Sequence, residues 1–260
     1  MLVSDERKLY LKRIKLERFY INLFRWLILF IFIIGWELLS KFELINTFIF
    51  SSPSLVIKTL ISLINGGVLF KHISITIYEI LISFGLATLI GFIISTAMWF
   101  VRFFANVLDP YLTILNSLPK VALGPLIIIW VGASTSSIIF MSLLISALIT
   151  IINLYSSFIS TNRDYITLMK CFRANKIKTF CMVVLPSNRN NIINTFKINI
   201  SMSLIGVIMG ELLVSKSGIG YLIMYGSQVF NINLVITGVL MLGIISYMMY
   251  FIIDKFEQKK

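Results

Sequence analysis

The side chains able to carry out acid–base, nucleophilic or metal chemistry are few in this sequence and lie far apart. The 260 residues include a single histidine, His72, two cysteines, Cys171 and Cys181, and 11 acidic residues. The cysteines lack the CxxC spacing of a metal or redox pair, and an enzyme would need histidines or acids in a cluster. A GxxxxGK[ST] loop, which cradles ATP phosphates, does not occur. We therefore expect no catalytic residue, no metal site and no cofactor.

Two charged residues lie within largely apolar stretches and are the candidates for a charge in a pathway or gate. Glu211 is one, because a buried acid in an apolar stretch is costly to keep. The interpretation we favour is that it sits at an outer interface and hydrogen-bonds to the turn at residues 215–220. Lys120 is the other, although snorkelling or pairing with Asp109 would also explain it. We expect His72 to be an exposed loop side chain.

The composition indicates what kind of body holds these residues. Hydrophobic residues make up 58% of the chain and charged residues 13%, and the mean hydropathy is +0.94. A soluble domain has about 25% charged residues, so the chain is predicted to be an all-α membrane protein. The net charge of +12 is better explained by basic residues collected in cytoplasmic loops than by binding to nucleic acid.

Apolar runs long enough to cross a bilayer predict six transmembrane helices. The third run is interrupted, so we expect Pro119 and Pro125 to bend it and Lys120 to occupy a protein-lined break. The predicted spans are residues 22–39, 80–101, 111–131, 137–157, 192–214 and 232–253.

The distribution of Lys and Arg orients these spans. Basic residues concentrate before the first span, between the fourth and fifth spans, and after the sixth. With six spans, the positive-inside rule places both termini in the cytosol. The predicted organisation is a basic segment at 1–21, a membrane domain at 22–253 with a basic loop at 163–189, and a tail at 254–260.

The basic loop, residues 163–189, has an apolar stripe at helical spacing. Tyr165, Leu168, Met169 and Phe172 follow the pattern i, i+3, i+4, i+7, and Ile177 and Phe180 continue it after an interruption. We expect two short amphipathic helices at the membrane face, with Asp164 as the first cap and Pro186 at a bend. An ordinary pair of interfacial helices packed on lipid is the alternative.

At this loop the sequence resembles the inner-membrane permeases of binding-protein-dependent ABC importers. Their cytoplasmic loop carries Glu-Ala-Ala, a glycine four residues later, and then Leu-Pro. Leu185-Pro186 matches that pair, Arg173-Ala174 falls where the family has Gly-Ala, and Thr167, Leu168 and Met169 replace the triplet. The stretches SSPSLV (51–56), LDPYLTILNSLPKVALGPLIIIWVG (108–132) and GELLVSKSGIGYLI (210–223) resemble the branch that carries sulfonate, taurine, nitrate or thiamine precursors.

The resemblance implies a type I ABC importer permease fold with cytoplasmic coupling helices in a bacterial plasma membrane. It implies as partners cytoplasmic ATPase subunits, an extracytoplasmic binding protein that touches the Gly218–Gly220 turn, and a second permease copy, identical or different. The residues expected to couple to the ATPase are Thr167, Leu168, Met169, Phe172, Arg173, Ala174, Ile177, Leu185 and Pro186. Where the family has glycine, the turn is expected to need a positive φ, which Asn175 could supply in place of Arg173.

The alternative function is an ATP-independent secondary transporter or channel. That class predicts paired intramembrane charges or an inverted repeat with broken helices in matching positions, and neither is evident here. The cargo stays open, because in this family the binding protein largely selects it.

Overall fold

A computed structural model describes the backbone of residues 5–258 and the side chains of residues 10–255, and all regular structure in that range is helical. The side chains of Arg7, Lys8, Lys259 and Lys260, which belong to the predicted cytoplasmic N-terminal segment and tail, lie outside the described residues. The helices are α1 (Asp5–Lys41), α2 (Thr47–Phe50), α3 (Pro53–Asn65), α4 (Val68–Phe100), α5 (Arg102–Ser117), α6 (Gly124–Val131), α7 (Thr135–Ile159), α8 (Arg163–Cys171), α9 (Lys176–Thr179), α10 (Leu185–Ser187), α11 (Arg189–Val214), α12 (Ile219–Gln228) and α13 (Ile232–Gln258).

Five of these helices are long and apolar enough to cross a bilayer: α1, α4, α7, α11 and α13. In α7, α11 and α13 both ends lie within about five residues of a predicted span. α1 and α4 match only at their last turn: α1 begins at Asp5, well before the predicted start at residue 22, and α4 begins at Val68, about three turns before the predicted start at Ile80. Those added turns contain His72 and Glu79, polar residues that ended the apolar run in the sequence but are buried in the fold.

The predicted third span is a broken helix. α5 begins at Arg102, not near Tyr111, and it meets the helical segment 120–131 at an angle of 89°. The break lies at Leu118–Pro119, as predicted. Pro125 does not bend the chain, because it occupies the first turn of α6, where a missing N–H costs nothing.

This broken pair is the sixth span when its two helices are counted as one. α4 ends beside the basic loop, where Lys176 Nζ donates to the carbonyl of Phe100 at 3.2 Å. α7 begins at the opposite end of the bundle, where Thr135 lies beside Glu79. The segment between them must therefore pass from one end of the bundle to the other, which gives the six spans that the sequence predicts.

The centre of the bundle is the packing of α7 against α4 and α11 through small residues. A Cβ added at Gly91 would lie 2.5 Å from Thr150 Cγ2, and one added at Gly206 would collide with Ser142. Ser142 Oγ also donates to the carbonyl of Ser203 at 2.9 Å, so it joins α7 to α11. Small side chains allow helices to approach closely in membranes, where van der Waals contact and hydrogen bonds replace the hydrophobic effect.

α1 is peripheral to this packed centre. Only 6% of the 18-residue apolar stretch of α1 is buried, compared with 56% of the corresponding stretch of α7. Its Glu37 carboxylate accepts a hydrogen bond from the backbone N–H of Ser54 at 3.0 Å, near the start of α3. The rest of α1 presents aromatic and aliphatic side chains, such as Phe24 and Phe32, outward from the described chain.

Two predictions about the basic loop are corrected by the fold. The N-cap of α8 is Asn162, whose Oδ1 accepts from the N–H of Asp164 at 2.8 Å, so Asp164 lies in the first turn and is not the cap. The predicted second helix of the basic loop is not a separate short helix. α9, a π-helical segment at 180–184 and α10 form one nearly continuous helical stretch that continues, after Asn188, as α11. The interruption before α11 is at Asn188, two residues after Pro186.

Candidate functional site

The first candidate site is α8 and its stripe of apolar side chains. None of its residues is buried, and Tyr165, Leu168 and Phe172 are 54%, 53% and 75% exposed. Ile177, after the turn, is 64% exposed. Thr167 and Arg173 are also exposed, whereas Met169 is half-buried. The predicted stripe is therefore present as an open surface on a short helix that its own chain does not cover.

The turn after α8 has the hydrogen bonds of a Schellman motif. The N–H of Ala174 donates to the carbonyl of Met169 at 3.0 Å, and the N–H of Arg173 donates to that of Lys170 at 2.9 Å. Arg173 occupies the left-handed position with φ of 52°. The expectation that Asn175 would take this conformation is wrong: its φ is −72° and its side chain caps α9. The backbone that glycine would favour is kept, with arginine in its place.

The other half of the loop is firmly anchored to the bundle. Phe180 is buried in an aromatic cluster with Trp99, Phe100 and Phe158, with ring centroids 5.0–5.4 Å apart. Asn188 Nδ2 donates to Thr161 Oγ1 at 2.6 Å, which joins the start of α11 to the end of α7. The exposed α8 is thus held between two ends that are fixed to α4, α7 and α11. Leu185 is half-buried and Pro186 exposed on this anchored side.

The second candidate site is a buried junction at the other end of α11. Glu211 is 1% exposed, so it lies inside the bundle and not at an outer interface. Its Oε2 accepts from the N–H of Gly220 at 2.6 Å, the predicted bond to the turn. Its Oε1 accepts from Thr76 Oγ1 at 2.6 Å, and Thr76 in turn accepts from the N–H of Ile219 at 2.9 Å. Glu211 therefore joins α11 and the turn to α4.

His72 belongs to this junction, and the prediction that it is exposed is wrong. Its side chain is buried, its Nδ1 accepts from the N–H of Gly218 at 2.8 Å, and its ring stacks on Tyr221 at 5.8 Å between centroids. Gly218 has φ of 107°, and a Cβ at Gly218 would collide with the Glu211 carboxyl. Gly218 and Gly220 are buried against that acid, so this part of the turn is a packing site and not an open surface.

The sequence analysis missed Glu79, which is the other acid of the junction. Its side chain is 1% exposed and lies beside the carboxyl of Glu211 and the hydroxyl of Thr135. Neither of its oxygens has a hydrogen-bond partner with good geometry, and Ser83 Oγ, one turn further along α4, has none either. An acid within an apolar stretch was a signal in the sequence, because the argument applied to Glu211 applies equally to Glu79.

Lys120, the other charge singled out from the sequence, is not in a buried break. Its ammonium donates to the carbonyl of Asn116 at 2.8 Å and to Asn116 Oδ1 at 3.1 Å, so it caps the last turn of α5. It does not pair with Asp109. Lys120 and Glu211 share no hydrogen-bond partner among the described residues.

A polar groove runs between α7 and α11 at the basic-loop end of the bundle. Its volume is about 320 Å³. Hydroxyl and amide groups in a membrane-spanning bundle are expected to face water or protein rather than lipid. The lining carries no charge; it consists of Asn153, Ser156, Ser157, Ser160, Asn191, Asn194, Thr195 and Ile198.

Residues 87–260, which contain the basic loop, the groove and Glu211, match the family model described as "Binding-protein-dependent transport system inner membrane component". The chain belongs to this family. It is a permease subunit of an ABC importer, as the loop and turn motifs predicted, and it is a multi-pass inner-membrane protein.

Relatives with named functions align over most of the permease. It is 28% identical over 228 residues to a protein of Haemophilus influenzae named "Probable ABC transporter permease protein", covering 88% of this chain and 92% of that one. It is 25% identical to a protein of Bacillus subtilis named "Putative aliphatic sulfonates transport permease protein SsuC", covering 81% and 76%. It is 26% identical to the formylaminopyrimidine transport permease ThiX of Halalkalibacterium halodurans, covering 72% and 74%.

The fold of the permease is also that of a solved structure. A chain of the MetNI methionine ABC transporter, in an inward-facing conformation, superposes with a TM-score of 0.64 at 16% identity. The match covers 73% of this chain and 94% of the other. The type I permease fold predicted from the motifs is therefore confirmed.

Proposed function

We propose that α8 is the coupling helix of this permease: it docks in a cleft of a separate cytoplasmic ATPase, which drives uptake of a small solute delivered by a binding protein. The observation that carries the proposal is the open apolar stripe of Tyr165, Leu168 and Phe172 on a helix anchored at both ends. With the basic loop in the cytosol, both termini of the permease are cytoplasmic.

The chemistry of α8 suits docking of a helix in a groove. Its stripe is flanked by cations at Arg163, Lys170 and Arg173, so an apolar cleft with an acidic rim would be complementary. Covering each large apolar side chain stabilises the complex by about 1.5–3 kcal/mol before the cost of association. The assignment of Thr167, Met169, Ala174, Ile177, Leu185 and Pro186 to this contact stays a prediction.

Movement of a docked α8 would reach the spans through the anchors of the loop. The buried ring of Phe180 touches rings from α4 and α7, and the segment that carries it leads into α11. When two ATPases close on ATP, a displacement of α8 therefore changes the inner ends of three central helices together. This is rigid-body alternating access with a packed aromatic cluster as the connection.

A second permease copy completes the pathway in this proposal. The outward-facing surface of α1 and the polar groove between α7 and α11 are both uncovered in the single chain. We assign the groove to the wall of the inward-facing pathway, because its neutral donors and acceptors can exchange with a hydrated solute without binding it tightly. Whether the second copy is identical or different is decided by co-purification of one permease species or two.

The cargo we propose is a small polar solute of the kind that the relatives carry, such as an aliphatic sulfonate or a pyrimidine precursor of thiamine. These two differ in charge, and the groove presents no charged side chain that would favour either. The selection therefore falls to the binding protein, and ligand identification on that partner names the cargo.

The decisive experiment is Leu168→Asp in the reconstituted transporter. A charge in the centre of the stripe should abolish ATP-dependent uptake and the stimulation of ATP hydrolysis by loaded binding protein. Leu168 is half exposed and belongs to none of the buried clusters of the described residues, so folding should be unaffected. Leu168→Met is the matched control, because it keeps the apolar surface and should keep coupling. Uptake by Leu168→Asp at the wild-type rate would remove the assignment.

The two native cysteines provide a second test that needs no introduced cysteine. Both thiols are exposed, Cys171 on α8 and Cys181 on the anchored segment. A membrane-impermeant maleimide should label them in inverted vesicles and not in right-side-out vesicles. In single-cysteine variants, bound ATPase should slow labelling of Cys171 more than that of Cys181. Labelling from outside the cell would contradict the orientation, and equal rates with and without ATPase would contradict docking.

A further inference from the structure

The buried junction contains two acids and too few donors to satisfy them. Glu79 and Glu211 are each 1% exposed and their carboxyl groups are neighbours. Glu211 already accepts from Thr76 and Gly220. Neither oxygen of Glu79 is paired, and the nearby Ser83 Oγ is unpaired as well. An ionised carboxyl group without a hydrogen-bond donor is strongly disfavoured in a membrane interior, so the charge on Glu79 needs a compensating group.

Among the side chains that the structure describes, residues 10–255, no basic group is seen beside the pair. α7 and α12, which pack on this part of α4, contain no charged residue. On α4 the nearest cation is Lys71, exposed and about 12 Å of helix away from Glu79. Lys216 on the turn is exposed too. His72 accepts a hydrogen bond at Nδ1, so that nitrogen carries no proton and the ring is neutral.

We propose that Glu79 and Glu211 bind one proton between them, and that this proton joins α4 to α11. Two adjacent buried carboxylates without a neighbouring cation strongly disfavour double ionisation, and one shared proton removes the repulsion. The proton belongs on Glu79: Glu211 is committed as an acceptor on both oxygens, whereas a protonated Glu79 can donate to it. The hydroxyl of Thr135 then faces the remaining oxygen of Glu79.

A proton fits this site better than a metal ion does. Glu211 is packed against the backbone of the turn, with ideal Cβ positions of Gly218 and Gly220 only 2.6 Å and 2.9 Å from its Oε2. A sodium or calcium ion would need about six oxygen ligands around it, and that side of the carboxylate is already closed. A shared proton requires only the two carboxyl groups themselves.

The proton-bound pair has a structural consequence at this end of the permease. The turn at 215–220 is held to α4 by Gly218 through His72, Ile219 through Thr76, and Gly220 through Glu211. Loss of the proton would put a second negative charge at the centre of these bonds and push α4 from α11. The junction should therefore weaken as pH rises.

The test uses Glu79→Gln, whose amide N–H replaces the carboxylic O–H at nearly the same volume. In purified full-length permease, the wild-type unfolding temperature should fall by about 2–4 °C per pH unit as the pH rises above about 5, because the native pair keeps a proton that an unfolded glutamate has already released at that pH. Glu79→Gln should lose most of this slope. Infrared spectroscopy should show a protonated carboxyl band in wild type at pH 6 that Glu79→Gln lacks.

Three outcomes would overturn the proposal: equal pH slopes in the two proteins, absence of the carboxyl band, or stabilisation of wild type by Na⁺ or Ca²⁺ at fixed pH that Glu79→Gln loses. If Glu79→Gln does not fold, Glu79→Lys supplies a built-in cation beside Glu211. That variant should fold and remain stable at high pH if the site lacks positive charge, and it should be destabilised at every pH if a metal ion already fills the site.

Discussion

Two turns of the permease contain a backbone position that suits glycine, and they treat it differently. In the turn at 215–220, Gly218 has φ of 107° and its missing side chain leaves the space that the Glu211 carboxyl occupies. In the turn after α8, the equivalent left-handed position has φ of 52° and holds Arg173, which is exposed. At Gly218 there is no room for a side chain, whereas at Arg173 a side chain fits and only the backbone conformation is unfavourable.

The comparison separates two reasons for glycine that a sequence pattern cannot distinguish. A left-handed residue with a Cβ costs about 1–2 kcal/mol, which a protein of ordinary stability tolerates. A Cβ forced into a buried carboxyl adds steric overlap and breaks hydrogen bonds. The turn that lies among buried polar groups therefore requires glycine, and the turn that its own chain leaves uncovered does not.

The largest effect is expected from Gly218→Ala. Strain in φ and displacement of the Glu211 carboxyl should together destabilise the permease by about 2–5 kcal/mol, which a fluorescence melt in detergent would detect. Gly132→Ala is the matched control, since Gly132 has φ of 86° with no atom within 4 Å of an added Cβ. Equal losses in the two variants would show that conformation alone decides, and would end the distinction drawn above.

A smaller effect is expected from Thr76→Val. The change keeps the shape of the side chain but removes the bond to Glu211 Oε1 and leaves the N–H of Ile219 unpaired. The free energy of unfolding should fall by about 1–3 kcal/mol. Thr76→Ser retains the hydroxyl and should lose less. A Thr76→Val protein as stable as wild type would mean that the turn is held by packing rather than by these bonds.

The smallest effect is expected from Arg173→Gly, and it has the opposite sign. Glycine relieves the left-handed strain, so the loop should be stabilised by about 0.5–1 kcal/mol. Arg173→Ala removes the same charge but keeps the Cβ, so it should give no gain. Hydrogen exchange of the Ala174 amide reports the local change. A gain of equal size in Arg173→Ala would assign it to charge and not to backbone strain.

Much of the fold could be predicted because spans of membrane helices are long apolar runs. The ends of α7, α11 and α13 lie within a few residues of the predicted spans. The predicted second span is shorter than α4, because Lys71, His72 and Glu79 interrupt the apolar run in the sequence. His72 and Glu79 lie against residues 211–220, more than 130 positions away in the sequence, and these residues help to bury them. Contacts of that separation leave no mark on local periodicity.

The candidate sites were predicted unevenly for the same reason. The apolar stripe of α8 is a local pattern, and the structure presents it as predicted. The left-handed turn after it was also located, but the identity of the residue in that conformation depends on the Schellman bonds of Met169 and Lys170, which favour Arg173 over Asn175. The polar groove combines residues of α7 and α11 that only helix packing brings together.

α11 links the two turns just compared. It runs without interruption from Arg189, beside the anchored half of the basic loop, to Val214, one residue before the 215–220 turn. Its 26 residues span about 39 Å, more than the hydrocarbon thickness of a bilayer. A rod of this kind does not absorb displacement along its length. A tilt at the Arg189 end of α11 therefore also moves the carboxyl of Glu211 against α4, so a single helix transmits displacement from one end of the bundle to the other.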